Sequence, residues 1–384
     1  MPFRIVREFV LSVSCLFLLC VSVCVSAASK PAPLAIGSDL PDFNLPAVDG
    51  KSYTPASFKD AEVLMLVFTC NHCPTAQAYE GRLKEIAADY KDRVAVLAIN
   101  PNHAEAVRLD EMAYTDLGDT FDEMVVRAEH QNFNFVYADD GPKQELTTIF
   151  SPIATPHVFI FDKKRKLRFQ GRIDNSERLD LVGRHDTREA LDSILAGKKP
   201  EIETTKVFGC SIKWADKVED NIRWQKKVAK EAVTLEKADA KTLQALRKNA
   251  DSGKLRLINA WATWCGPCVS EFDDLVETNL RFRIRDFELV TVAAQFPNEE
   301  AKVRKFLEKK RASSKNYIFA GDDKYKLLEA LDPNWNGALP YTILVDEKGE
   351  VIYSENGPVD FLALRRVIVP ALDKIEPWGG LGDN

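Results

Sequence analysis

Histidine is scarce in this chain, five in 384 residues, which leaves little from which to build a hydrolytic metal centre. No glycine-rich loop opens a helix, so the phosphate cradle of a nucleotide-binding enzyme is missing. Lysine and arginine are scattered rather than striped, and the net charge is −6. Without a basic footprint, nucleic acid is not an expected partner. Low-complexity tracts are also absent. A composition of 45% hydrophobic and 29% charged residues is that of a folded globular protein, not of a disordered chain or a polytopic membrane protein. The length exceeds what one hydrophobic core usually supports, which favours two domains.

The first residues are a different material. Arg4 and Arg7 precede an apolar run from Phe9 to Val25, followed by Ser26, Ala27 and Ala28. A positive end, an apolar stretch and the small-residue site Val25-Ser26-Ala27 read as a secretory signal over residues 1–28. The run is also long enough to act as an uncleaved single-span anchor. Either way the folded part is expected outside the cytoplasm, periplasmic or secreted. Cys15, Cys20 and Cys24 fall in this segment. None has the small residue at −1 and aliphatic residue at −3 that lipid attachment prefers.

Five cysteines remain: Cys70, Cys73, Cys210, Cys265 and Cys268. Four of them form two close pairs, a spacing of redox or metal devices rather than of a static disulfide scaffold. Four thiolates could together close a zinc site. The pairs lie far apart, however, each in its own strand-helix frame, and no metal is expected. Pro74 and Val269 follow the pairs where haem attachment would need histidine.

Each pair sits in the same surroundings. The run Glu62 to Phe68 has the length and continuity of a strand buried on both faces and leads directly to Cys70. After Cys73 and Pro74, the residues Ala76, Tyr79, Leu83, Ile86 and Tyr90 fall on one helical stripe. Strands are expected at 94–99, 133–137 and 157–161, with helices near 120–130 and 143–150. The order recurs as a strand at 255–260, Cys265 to Cys268, a helix to about Leu280, a strand at 287–293, a helix over 298–309 and a strand at 341–345. Pro156-His-Val-Phe-Ile-Phe-Asp162 and Pro340-Tyr-Thr-Ile-Leu-Val-Asp346 repeat a proline, five mostly apolar residues and an aspartate. The expected architecture is α/β: two tandem copies of a central mixed β-sheet flanked by helices. The copies are placed at 34–200 and 233–378. The charged stretch 201–232, with Trp214 and Trp224, lies between them as a linker.

A cysteine at a strand-to-helix junction meets the free N–H groups of the helix start, which stabilise a thiolate. On that argument Cys70 and Cys265 are the expected nucleophiles, with Cys73 and Cys268 resolving the mixed disulfides. His72 can stabilise the Cys70 thiolate and make that disulfide the more oxidising one. Electrons would then pass from Cys265/Cys268 toward Cys70/Cys73. Cys210 has no near partner in sequence and reads either as a buried free thiol or as a relay thiol that meets Cys70 or Cys73.

Trp261-Ala-Thr-Trp264-Cys265-Gly-Pro-Cys268 resembles the active-site signature of the thioredoxin superfamily. The resemblance implies two tandem thioredoxin-like folds, with cis prolines facing the cysteines at Leu339-Pro340 and Thr155-Pro156. The second domain is similar to the periplasmic or membrane-tethered reductases of cytochrome c maturation, the TlpA/ResA-like group. That likeness makes Glu271 a proton shuttle for the resolving cysteine. The first domain resembles the redoxin or peroxiredoxin-like (AhpC/TSA-like) branch, through Gly37, Pro41, Phe43, Leu45, Asp49-Gly50 and Phe68-Thr-Cys-Asn-His-Cys-Pro74. It departs from the peroxidatic motif, which wants proline at −7 and threonine or serine at −3. Cys70 has Val63 and Val67 there; Cys73 has Leu66 and Cys70.

The expected function is an exported thiol-disulfide oxidoreductase, a reductase or isomerase acting on disulfides of exported proteins or in redox homeostasis. It needs no cofactor beyond its own redox-active disulfides. Its electron donor would be a membrane reductase or a thioredoxin-type domain. The alternative is a thiol-dependent peroxidase with the C-terminal thioredoxin domain as its reductant.

Overall fold

A five-stranded β-sheet in the first half of the chain and a six-stranded one in the second organise the described residues. The structure is a computed structural model that describes residues 32–250, 252–321 and 323–376. The expected signal segment 1–28 lies outside the described residues. Among the described residues no helix is long and apolar enough to cross a membrane.

A short hairpin, β1 (Leu45–Pro46) and β2 (Ser52–Tyr53), leads into the first sheet. That sheet holds β3 (Val63–Phe68), β4 (Val94–Asn100), β5 (Val136–Asp139), β6 (His157–Phe161) and β7 (Leu167–Gly171) in the order β5-β4-β3-β6-β7. β3 pairs in parallel with β4, and antiparallel with β6. Its helices are α1 (Pro74–Asp89), α2 (Phe121–Gln131), α3 (Glu145–Phe150) and α4 (Asp186–Leu195), followed by α5 (Val218–Val228).

All six residues of β3 are buried, and the strand period of two divides them between two cores. Val63, Met65 and Val67 pack with Tyr79, Leu83 and Ile86 of α1. Leu64, Leu66 and Phe68 pack with Phe150, Phe159 and Phe161. A strand apolar on both faces is forced to the centre of a covered sheet. Its end therefore emerges mid-sheet, and the first cysteines emerge with it.

The second sheet repeats this plan with one strand added at the edge. It contains β8 (Glu236–Ala238), β9 (Leu255–Trp261), β10 (Phe287–Ala293), β11 (Lys315–Phe319), β12 (Tyr341–Val345) and β13 (Val351–Asn356), ordered β13-β12-β9-β10-β11-β8. β9 stands where β3 stood, parallel to β10 and antiparallel to β12. The helices are α6 (Ala240–Lys248), α7 (Gly266–Phe282), α8 (Glu300–Lys310), α9 (Lys324–Leu331) and α10 (Phe361–Ile375).

The stretch 201–232 is packed against the first domain. Gln170 N–H donates to Glu203 O at 2.9 Å, and Thr205 N–H returns to Gln170 O at 3.1 Å. Farther on, Asn221 in α5 donates to Glu105 O at 2.8 Å.

The two domains meet through an arginine clamp. Arg281, in the last turn of α7, donates to the carbonyls of Met112 and Thr115, each at 2.9 Å. Arg285 reaches Ala113 O at 3.2 Å and lies 4.3 Å from the centre of the Tyr114 ring. From α10, Arg365 donates to Asp116 O at 2.7 Å and Arg366 to the Asp116 carboxylate at 3.0 Å.

Candidate active sites

In the second domain β9 ends at Trp261 and α7 begins at Gly266, with Cys265 as its N-cap. The Cys265 sulfur accepts from Cys268 N–H at 3.3 Å. The two cysteines are joined as a disulfide with Cα atoms 5.3 Å apart. The Leu339-Pro340 peptide is cis, as expected, and immediately precedes β12, the strand beside β9. Trp264 is 61% exposed next to the disulfide, an apolar plate at the mouth of the site.

Glu271 sits one turn beyond Cys268 on the same helix and is buried. Its carboxylate accepts from Asn259 Nδ2 at 3.3 Å and from Val359 N–H at 3.1 Å. Burial outweighs these bonds and pushes its pKa above the ordinary glutamate value. A carboxyl in that state can hold a proton close to the buried sulfur of Cys268.

The first domain uses the same frame with its cysteines displaced. α1 begins at Pro74, and its N-cap is Cys73, whose sulfur accepts from Ala76 N–H at 3.3 Å. The expectation that Cys70 caps this helix is corrected here. Cys70 lies three residues upstream, 3.3 Å from the Thr155 hydroxyl. Proline is at home at the first helical position because the N–H it lacks would have no helical partner anyway. Pro74 therefore sets the helix start, and the residue before it becomes the cap.

The charge follows the cap. Burial works against a Cys73 thiolate, but contacts from the Cys210 and Cys70 thiols, the His72 charge and the Ala76 N–H overcome it, and the Cys73 pKa falls well below that of a free thiol. Burial, reinforced by the Cys73 sulfur, drives Cys70 well above it. Cys210 is raised by its contact with Cys73 and then by burial. One thiolate is thus served by two thiols. When Cys73 is itself protonated, it donates to Thr155 O at 3.4 Å.

His72 is buried, with Nδ1 at 2.5 Å from Asp119 Oδ2. Burial opposes its charged form, but the Asp119 carboxylate more than offsets this and raises the His72 pKa. Burial likewise opposes the Asp119 charge, yet His72, Asn102 and backbone N–H groups lower its pKa overall. The other Asp119 oxygen accepts from Asn71 N–H at 2.9 Å and His72 N–H at 3.0 Å. Asn102 Nδ2 donates to Asp119 Oδ2 at 2.8 Å. Donor atoms of Cys70, His72 and Asp119 lie within 4.8 Å of one another. The imidazole and carboxylate of that group are turned on each other, and the charge that the pair places on His72 favours the Cys73 thiolate.

The Thr155-Pro156 peptide is cis and faces the thiols. Cys210, distant in sequence, packs directly on Cys70, Cys73 and Ala76. The expected cysteines, His72 and Pro156 therefore come together in one site, and Cys265, Cys268, Trp264, Glu271 and Pro340 in another. Asp119, Asn71, Asn102 and Thr155 were not anticipated from the sequence. Thr155 was accessible as the neighbour of Pro156. Asp119 arrives from a loop 47 positions from His72, a separation that no local periodicity encodes.

Residues 36–170 match the AhpC/TSA family and residues 226–366 match the Redoxin family. The chain belongs to the thioredoxin superfamily and carries two domains of that fold. Among its relatives, the thiol:disulfide interchange protein CycY of Rhizobium leguminosarum bv. viciae is 29% identical over 140 residues, which cover 35% of this chain and 66% of that protein. The thiol-disulfide oxidoreductase ResA of Halalkalibacterium halodurans is 29% identical over 105 residues, 27% of this chain and 55% of that protein. The chain spans 51% to 66% of the length of the curated relatives it matches. A solved structure of a hypothetical protein from Sinorhizobium meliloti 1021 is 29% identical, covering 48% of this chain and 96% of that one with a TM-score of 0.42.

Proposed function

We propose that the protein is an exported thiol-disulfide oxidoreductase that works through both Cys-x-x-Cys sites on disulfides of exported proteins. The observation that carries this reading is the second site: a disulfide at the start of α7, beside a cis proline and an exposed tryptophan. Helix-start N–H groups stabilise the Cys265 thiolate once the bond is reduced. The thiolate attacks a substrate disulfide, and Cys268 then resolves the mixed disulfide, giving its proton toward Glu271. The chemistry runs on the protein's own sulfurs. Export is supported by the charged and apolar pattern of residues 1–28.

A lower thiol pKa stabilises the reduced form and makes a disulfide more oxidising. The charged environment of Cys73 therefore supports the first site as the more oxidising of the two. Insulin reduction with dithiothreitol as donor tests the main reading. Cys265→Ser is expected to remove most of the catalysed rate, and an undiminished rate in a variant lacking all four paired cysteines would overturn it. A second reading, thiol peroxidase, draws on the AhpC/TSA match and on Cys73 at the helix cap. Against it, Leu66 and Cys70 stand at the −7 and −3 positions. Peroxide consumption by the reduced chain separates the two.

A further inference from the structure

The residue before the cis proline of a thioredoxin-like site offers its backbone N–H and C=O as an edge to which an incoming extended strand can pair. In the first domain that edge is occupied by the chain itself. Thr155 N–H donates to Cys210 O at 3.0 Å, and Cys210 N–H donates to Thr155 O at 3.3 Å. The two residues form an isolated antiparallel bridge.

The segment is built to come this close. Gly209 has φ +142°, and a Cβ there would stand 2.0 Å from Thr155 O, so only glycine is tolerated. Both flanks are anchored. Phe208 packs on the Tyr79 ring, Ile212 is buried, and Lys213 N–H donates to Asn102 Oδ1 at 2.8 Å. Asn102 is the same side chain that holds Asp119. This backbone delivers the Cys210 thiol to the Cys73 sulfur.

We propose that Cys210 is a third redox thiol of the first domain and the resolving partner of Cys73, carried on a segment seated where a substrate strand would pair. The step rests on the exchange reading given above. The Cys73 thiolate attacks one sulfur of a substrate disulfide, forming a Cys73–substrate bond and releasing the other substrate sulfur as a thiolate. Cys210 loses its proton, which ends on that departing sulfur, and attacks Cys73. The Cys73–Cys210 bond forms, the mixed disulfide breaks, and the second substrate sulfur leaves and takes a proton from water. Two electrons pass from the Cys73/Cys210 pair to the substrate, which ends as two thiols. Cys70 remains beside the pair as a protonated donor to the Cys73 sulfur.

The test uses the full chain, reduced and then pulsed with oxidised glutathione, quenched in acid and mapped by peptide mass spectrometry. Wild type and Cys70→Ser should both yield a Cys73–Cys210 disulfide. In Cys210→Ser the Cys73–glutathione adduct should persist about tenfold longer than in Cys70→Ser. Gly209→Ala keeps the thiol but displaces the segment, and should stall in the same way. The proposal is overturned if wild type closes Cys70–Cys73 with Cys210 open to alkylation, or if Cys70→Ser is the variant that stalls. Absence of a Cys73–glutathione adduct from every variant would instead remove the exchange reading of this site.

Discussion

The two Cys-x-x-Cys sites share one spacing in sequence and occupy different registers on the same fold. In the second domain the first cysteine of the pair caps the helix, and the second lies inside its first turn. In the first domain the second cysteine caps the helix, and the corresponding inner position is Ala76. A resolving sulfur for Cys73 must therefore come from outside the helix, from Cys70 upstream or from Cys210 across the groove. On the exchange reading proposed above, the helix start selects the nucleophile, not order within the motif. The charged side chains are placed differently too: the His72 charge favours the thiolate of the capping Cys73 in one site, whereas in the other the buried Glu271 lies on the helix one turn beyond the inner Cys268.

The largest effect that would break this comparison is in thiol labelling. At pH 6 the reduced first site should react with iodoacetamide through Cys73. Cys73→Ser should cut labelling of that site by about 100-fold, while Cys70→Ser leaves it nearly unchanged. Both sulfurs are buried, so the same local opening admits the reagent to each, and the ratio reports ionisation. Equal labelling of Cys70 and Cys73 would return the two sites to one register.

A second contrast lies directly after the cis prolines, where the first domain has His157 and the second has Tyr341. Burial alone lowers the His157 pKa to about 3, and its Nδ1 accepts from Ile153 N–H at 3.2 Å. The folded state holds the neutral ring, whereas the unfolded chain binds a proton below about pH 6.5. This stability is therefore complete above pH 6.5 and is lost as pH falls toward 3. At pH 5 the loss is about 2 kcal/mol. Replacing His157 with Gln should flatten the fall of Tm between pH 7 and pH 5. If the slope is unchanged, the acid-labile group lies elsewhere.

Much of the fold was legible because its central strands are long, apolar and bounded by strong signals. The expected strands at 157–161, 287–293 and 341–345 coincide with β6, β10 and β12. The expected strand at 133–137 is instead β5, Val136–Asp139. Its run of apolar residues begins with Phe133 and Phe135, which stack on each other outside the ladder. The registers of the two sites were readable in part, since Pro74 directly after Cys73 marks the first helical position. The ring of groups around Cys73 was less so. Cys210 offered a relay thiol and Thr155 stood beside the expected cis proline, but Asp119 and Asn102 converge only through tertiary packing, and nothing among their sequence neighbours marks them.

The smallest predicted effect asks whether the two sites are mechanically joined. α7 carries the second disulfide at its N-terminus and Arg281 in its last turn, about 25 Å apart for a helix of this length. Arg281 holds the carbonyls of Met112 and Thr115. Thr115 Oγ1 donates to Asn71 O at 3.3 Å, and Asn71 Nδ2 donates to Gly118 O at 2.7 Å. The next residue is Asp119, the partner of His72. Loosening the clamp should therefore let Asp119 shift and weaken the charge that favours the Cys73 thiolate. Arg281→Met keeps the aliphatic stem and touches no sulfur. It should slow Cys73 labelling at pH 6 about fivefold, a coupling of about 1 kcal/mol. Arg283→Met is the control, because the hydrogen bonds of Arg283 go to Glu231 and Ser313 rather than to the carbonyls of residues 112–116. Equal slowing in both variants would mean general destabilisation, whereas slowing confined to Arg281→Met would show that the second domain holds the first site in its charged state.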